Sequence, residues 1–360
     1  MLISTLLVFI IILGILVFVH EVGHFVLAKK VGAKVEEFGF GFPPRILKIK
    51  KGGTIYSINA IPLGGFVKIL GEDGEDKQNK YSFANKKIWQ RFLILIAGVT
   101  MNFLLAAVLL SIAYGVGLPQ AVGDEENFSQ TKVQISLVVP GSPAEQSGLK
   151  IGDEIISLQG KAGAIDNIIK TGQVIGFADA NKGESMVINI KRGQEVVAAN
   201  IIPRQNPPEG EGPMGIGLAR VAMISYPWYE SIWRGFASAG ELTWLTIVGL
   251  GTLLWGFFQT GKMAADVYGP VGIFSLTGQA AQMGFIYLLQ LAAILSLNLA
   301  VINALPFPAL DGGRLLFLLI EKIKGSPVSQ RTEKIVHSAG FAFLILLMAA
   351  VTLRDVVRLF

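Results

Sequence analysis

The sequence predicts a polytopic α-helical membrane protein with four transmembrane helices, a membrane-associated β-hairpin region and an inserted soluble domain on the outer side. Three observations carry this reading. Hydrophobic residues make up 52% of the chain and charged residues only 16%, a balance that departs from soluble globular proteins. The apolar residues gather in runs long enough, or nearly so, to cross a bilayer. Basic and acidic residues are sorted between the connecting segments, which assigns those segments to sides.

The first apolar run is Leu2–Val19. It is too long for a signal-peptide core and lacks a basic flank and a small-residue cleavage site, so it reads as a mature helix. Phe92–Leu118, Leu242–Gly261, Gly284–Leu305 and a shorter run near Ile335–Leu353 follow. Residues 28–91 hold 13 Lys/Arg against 6 Asp/Glu, and residues 119–222 hold 9 against 12. The excess of basic residues places the first segment in the cytoplasm and the second outside, with the amino terminus external. This sorting accounts for the net charge of +5, and no nucleic-acid partner is expected. The chain has no cysteine, so neither a disulfide framework nor a thiolate metal site is available.

Between the first two helices, Phe38–Pro44 and Tyr56–Lys68 alternate β-favouring residues with Gly and Pro. They predict short strands and tight turns that dip into the membrane or pack as a hairpin on the helix ends. Residues 119–222 have the size of one soluble domain. Within them, residues 138–158 read as a turn, a short helix and a turn entering an apolar strand. This stretch closely resembles the core signature of PDZ domains, whose groove captures an extended peptide by strand addition. Val187–Ile190, Val196–Ile202 and the glycine-bearing Met214–Leu218 would be further strands. The resulting division is 1–118, a membrane half; 119–222, a single PDZ domain; 223–283, an interfacial amphipathic region; and 284–360, a second membrane half. Leu242–Gly261 can span or lie in the interface. Trp244, Trp255, Phe257 and Phe258 favour the interface, which yields four spans.

The chemistry is concentrated at His20-Glu21-Val22-Gly23-His24, at the end of the first apolar run. Residues four apart share a helix face, so both imidazoles can reach one ion. Glu21 lies beside them, placed to take a proton from a metal-bound water, as in the H-E-x-x-H zinc-hydrolase pattern. Ionisable groups at membrane depth are costly and point to function. A third ligand is needed, and Asp311 lies where Asn303-Ala-Leu-Pro-Phe-Pro-Ala-Leu-Asp-Gly-Gly-Arg314 ends a later apolar helix. If Leu242–Gly261 does not span, that helix runs inward and brings Asp311 to the side of His24. An Asp at such a point can equally be a helix cap. Of the three histidines, His337 has no evident partner and reads as structural.

H-E-x-x-H in the first helix, the PDZ insert and N-x-x-P-x-P-x-L-D-G-G near a later helix end together resemble the site-2 protease family. The nearest likeness is to the bacterial regulator-of-sigma-E protease group. Phe38–Pro44, Pro62–Lys68 and Gly269–Gly272 add to the resemblance, which covers nearly the whole chain. Two departures are Val99, where the family has proline in Ala97-Gly-Val-Thr-Met-Asn-Phe103, and one PDZ module where enteric members have two. The resemblance implies an intramembrane Zn2+ endopeptidase in the bacterial inner membrane, with its active site towards the cytoplasm and its PDZ domain extracytoplasmic. It implies cleavage of single-pass membrane proteins, such as anti-sigma factors and remnant signal peptides, after a first cut outside the membrane. Zinc would sit on His20, His24 and Asp311, with Glu21 as the catalytic base. Asn102 and Asn303 would hold substrate or oxyanion, or else bridge helices. Gly64, Gly65 and Phe66 would offer a strand edge to unwound peptide. Competing readings are a membrane zinc carrier and a non-catalytic PDZ scaffold that binds a peptide or a substrate ectodomain.

Overall fold

The computed structural model describes residues 2–72, 74, 78–128, 130–261 and 267–357. The chain divides into two compact units, one of residues 1–112, 232–278 and 288–360, the other of residues 113–231 and 279–287.

The first unit is helical with one small sheet. Helix α1 (Leu2–Lys30) is apolar on every side until its last turns and ends on Lys29 and Lys30, cations that suit the negative end of the helix dipole. All-round apolarity marks a helix solvated by lipid, and Leu2, Ile3, Leu7 and Ile11 are exposed. Strands β1 (Val35–Lys51) and β2 (Thr54–Ile69) follow. The two strands are longer than the expected pieces, and each folds back on itself. Residues 37–40 are paired on one side with 55–58 and on the other with 65–68, while 45–51 pair with 54–59. The result is four antiparallel stretches in the order 45–51, 54–59, 37–40, 65–69. The last stretch is an outer one, beside α1.

Helix α2 (Ile88–Val116) is the second long apolar helix. Helices α5 (Trp228–Thr260), α6 (Pro270–Met283), α7 (Phe285–Ala304), α8 (Asp311–Lys324) and α9 (Gln330–Val357) complete the unit's helices. Ala106, Ala107, Leu110, Ala239, Ala293 and Leu297 form a buried cluster joining α2, α5 and α7. Alanine dominates it because small side chains let backbones approach where lipid, not water, surrounds the helices. A second cluster joins Ala28, Val35, Ile69, Ile94, Leu95 and Leu318, locking α1, the sheet, α2 and α8 together. Among the described residues five helices are long and apolar enough to cross a membrane. Of the run 242–261, expected as a separate one, residues 242–260 are the second half of α5, whose hydropathy of 1.4 is the lowest of the five. That half exposes Trp244, Trp255 and Phe258, and the first half supplies Ala239 to the helix cluster.

The second unit is a seven-stranded sheet in the order β3-β9-β4-β5-β7-β8, with β6 paired to β5. The strands are β3 (Leu118–Ala121), β4 (Thr131–Val138), β5 (Glu154–Gly160), β6 (Gly163–Asp166), β7 (Met186–Arg192), β8 (Glu195–Ile201) and β9 (Ile216–Ile224). Helices α3 (Pro143–Gln146) and α4 (Thr171–Ala180) complete it. Alternating residues such as Val133, Ile135, Ile155, Ile188 and Ile190 point into one core with Val174 of α4, the period-2 pattern of a sheet with one covered face. Asp124 fixes the start of α4 by accepting from the N–H and hydroxyl of Thr171 and the N–H of Gly172. Desolvation opposes its ionisation, but these bonds hold its carboxyl below the usual range.

Candidate metal centre

Helical spacing puts His20 and His24 on one face of α1, and both are buried, 7% and 6% exposed. Their Nε2 atoms are 3.2 Å apart. Asp311, the first residue of α8, brings Oδ2 to 3.1 Å from Nε2 of His20 and 3.3 Å from Nε2 of His24. A zinc ion with tetrahedral bonds of about 2.0–2.2 Å holds its ligand atoms about 3.3 Å apart. The three edges of this triangle therefore fit one such ion. Among the described residues this is the group of His and carboxylate side chains that can share a metal. Oδ2 of Asp311 is buried and lacks a hydrogen bond of ordinary geometry, as expected for an atom whose partner is a cation.

The packing that allows this closeness comes from glycine. A Cβ on Gly98 of α2 would lie 2.4 Å from Nε2 of His24 and 2.7 Å from Nε2 of His20. A Cβ on Gly23 would lie 2.4 Å from the carbonyl oxygen of Ala97. The two helices thus cross at a pair of glycines directly behind the imidazoles. Gly98→Ala is expected to displace both rings and lower zinc affinity at least tenfold, since overpacking a tight site costs about 1–3 kcal/mol. Competition with a chelator measures this, and wild-type affinity in the variant would contradict it.

The remaining ring nitrogens are also held. Nδ1 of His24 is 2.8 Å from the carbonyl oxygen of Ile94, and Nδ1 of His20 is 3.2 Å from Nδ2 of Asn102. Asn102 is fully buried and touches a candidate ligand, not open space where substrate would lie. Asn303 is half-buried on α7 and is absent from the lining of the cavity over the triad. Glu21 is brought to the cavity beside the imidazoles. Its Oε2 accepts from the N–H of Val67 at 3.1 Å, so the outer strand 65–69 aims the carboxylate. Phe66 lines the cavity. Gly64 and Gly65 are buried behind it, where a Cβ on Gly64 would strike Val17 at 2.8 Å and one on Gly65 would lie 3.7 Å from Cγ of Glu21.

The turn before Asp311 carries its own support. Ala309 has φ of +75°, a left-handed conformation unfavourable for a residue with a Cβ. Its N–H donates to Nδ1 of His337 at 2.8 Å. His337, read from sequence as structural, thus steadies the turn that presents Asp311, and it borders the same cavity. Asp311 does not act as the cap of α8, since the capping position is Leu310.

The cavity has a volume of about 550 Å³, and two of its lining residues, Arg314 and Glu72, form an ion pair. Gly98, Val67, Glu72 and the Ala309–His337 bond were not indicated by the sequence. Only Gly98 left a signal, one turn before Asn102 and on the same helix face.

The family model for Peptidase family M50 matches residues 8–347. The regulator of sigma-W protease RasP of Bacillus subtilis is 30% identical over 440 aligned positions, covering 100% of each chain. Zinc metalloprotease RasP of Geobacillus kaustophilus is 31% identical over 430 positions, covering 98% of this chain and 97% of its own. Zinc metalloprotease RasP of Oceanobacillus iheyensis is 30% identical over 442 positions, covering 99% and 100%. The similarity runs through the helix that carries the paired imidazoles and the turn that opposes a carboxylate to them. The chain therefore belongs to peptidase family M50, the site-2 proteases, as a membrane-embedded bacterial zinc metalloprotease of the RasP-like group.

Proposed function

We propose that the protein hydrolyses peptide bonds within the transmembrane segments of single-pass membrane proteins, with His20, His24 and Asp311 as zinc ligands and Glu21 as the catalytic base. The observation that carries this is the triangle of ligand atoms with Glu21 at its side and a cavity in front. Bound zinc supplies a Lewis acid that polarises the scissile carbonyl and acidifies water. Glu21, aimed by the Val67 N–H, takes the proton of the attacking water and passes it to the leaving nitrogen. A transmembrane substrate hides its carbonyls in helical hydrogen bonds, so it must be extended before attack. The outer edge of 65–69, with Gly64, Gly65 and Phe66, is the natural place to hold it by strand addition. Asn303 is proposed to contact substrate once the peptide is seated. Anti-sigma factors and remnant signal peptides are the proposed substrate classes.

The topology is proposed as four crossings with both termini outside, α5 lying along the interface and the metal centre towards the cytoplasm. Support comes from the second unit, which includes both the residues that precede α5 and the residues 279–287 that enter α7. This supports the reading in which the α5–α6 excursion leaves and returns to one side and α7 runs inward like α1. Ser326 is exposed between α8 and α9, and the chain is free of cysteine. Ser326→Cys should react with an impermeant thiol reagent only from the cytoplasm, and labelling only from outside would refute the parity.

Residues 119–222 are proposed to be a single extracytoplasmic PDZ domain that governs access. It contributes no candidate metal ligand, so it should select substrates more than it affects turnover. Deleting about 125–220 should leave cleavage of a pretrimmed substrate within roughly tenfold, about 1.4 kcal/mol in barrier, and permit some cleavage of an untrimmed one. A folded, zinc-loaded deletion that is inert towards the short substrate would show an obligatory role instead.

A further inference from the structure

Helix α8 is amphipathic and has 14 residues, too short to cross a bilayer, so it suits the membrane interface. Part of its apolar face is used inside the protein, where Leu318 joins the cluster with α1, the sheet and α2. The rest is left open, with Leu316 and Leu319 39% and 53% exposed. Together with Phe92 of α2 and Ala304, the last residue of α7, they line a groove of about 970 Å³. That is at the upper end of the range of about 300–1,000 Å³ found for ligand sites.

Two lysines and no carboxylate border this groove. Lys87, immediately before α2, and Lys322, in the last turn of α8, are both exposed. Glu321, next to Lys322, is committed elsewhere, since it accepts from both terminal nitrogens of Arg91. Trp89 also borders the groove and is exposed. An indole, with its apolar body and polar N–H, belongs at the level of the lipid headgroups. An apolar lining, an unbalanced pair of cations and a tryptophan at the start of a membrane helix call for a long-chain amphiphile with an anionic head.

We propose that the groove between α2 and α8 binds an anionic phospholipid, its acyl chains along Phe92, Leu316 and Leu319 and its phosphate at Lys87 and Lys322. Basic pockets between membrane helices recognise anionic headgroups in this way. A zwitterionic lipid brings its own cation and gains less from the lysines. A transmembrane substrate suits the groove poorly, because an apolar segment offers no anion. Moreover, neither the three candidate ligands nor Glu21 borders it. Gly312 does, and a Cβ there would lie 2.4 Å from the carbonyl oxygen of Ala304. A lipid in the groove thus packs against residues on either side of the turn that presents Asp311. The proposal uses neither zinc nor the parity of the crossings.

Full-length protein is reconstituted in phosphatidylcholine vesicles that carry a fixed share of dibrominated phosphatidylglycerol or dibrominated phosphatidylcholine. Bromine on an acyl chain quenches an indole that it touches. The chain has five tryptophans, so the signal of Trp89 is read as the difference from Trp89→Phe. Phosphatidylglycerol should be preferred at Trp89 by about 25-fold, about fivefold for each lysine. Lys87→Gln combined with Lys322→Gln should bring that preference to within about twofold of unity. Ala304→Phe keeps both lysines but fills the groove, and should also abolish the preference. Equal quenching by the two lipids without these substitutions would overturn the proposal and leave an ordinary lipid-facing surface. That comparison decides by itself should a lysine or Ala304 variant fail to fold. An unchanged preference in the lysine pair would overturn it too. So would full preference in Ala304→Phe, which would reduce the lysines to surface charge. Relief of the quenching by an added transmembrane substrate peptide would show that the groove receives substrate instead.

Discussion

Glu21→Gln is expected to abolish peptide hydrolysis while leaving zinc bound. Gln has the shape of Glu and still offers an oxygen to the Val67 N–H, so the local packing is kept. It cannot accept a proton from water or return one to the leaving nitrogen. Loss of a positioned general base costs about 10²–10⁴-fold in rate, and a value near 10³ corresponds to about 4 kcal/mol. Glu21 lies outside the candidate ligand triad, so metal content should stay at the wild-type level. Turnover of a short transmembrane substrate in detergent, read beside zinc analysis, checks both parts. The same variant separates the competing readings, because a zinc carrier has no use for a base at this position. Unchanged hydrolysis by Glu21→Gln would show that the base lies elsewhere.

The candidate centre was legible where it depended on local spacing. His20 and His24 lie four residues apart, and helical periodicity alone places them together. Asp311 was reachable only through topology, by asking which acid arrives on the side of His24. Alternation marked the sheet of β1 and β2, but not that residues 37–40 would be paired on both sides. Strands β7 and β8 were legible because their apolar alternation is regular and their turn is short. The start of α5 at Trp228 was not, since residues 228–241 mix charge with aromatics and carry no spanning signal. The supports of the site were hidden for a different reason. The bonds of Glu21 to Val67, His24 to Ile94 and His20 to Asn102 join residues 46, 70 and 82 positions apart, and nothing in a neighbouring residue type announces them. Asn102 was picked out as a residue that holds substrate or oxyanion or else bridges helices, and its side chain meets the imidazole of His20. Gly98 needs the crossing of α1 and α2 before its lack of a side chain has meaning.

The claim on which the rest depends is that His20, His24 and Asp311 hold one zinc ion. Removing one ligand from a three-residue set leaves two donors and an enlarged opening, and removing Asp311 also takes away the negative charge that would balance the ion. Breaking a buried charged pair costs about 3–5 kcal/mol, enough to lower affinity by several hundredfold or more. Metal analysis of the purified protein in detergent is the most direct measurement. Wild type and Glu21→Gln should each carry about one zinc per chain, and His24→Ala and Asp311→Ala should carry little after dialysis against a chelator. Undiminished zinc in both His24→Ala and Asp311→Ala would contradict the assignment.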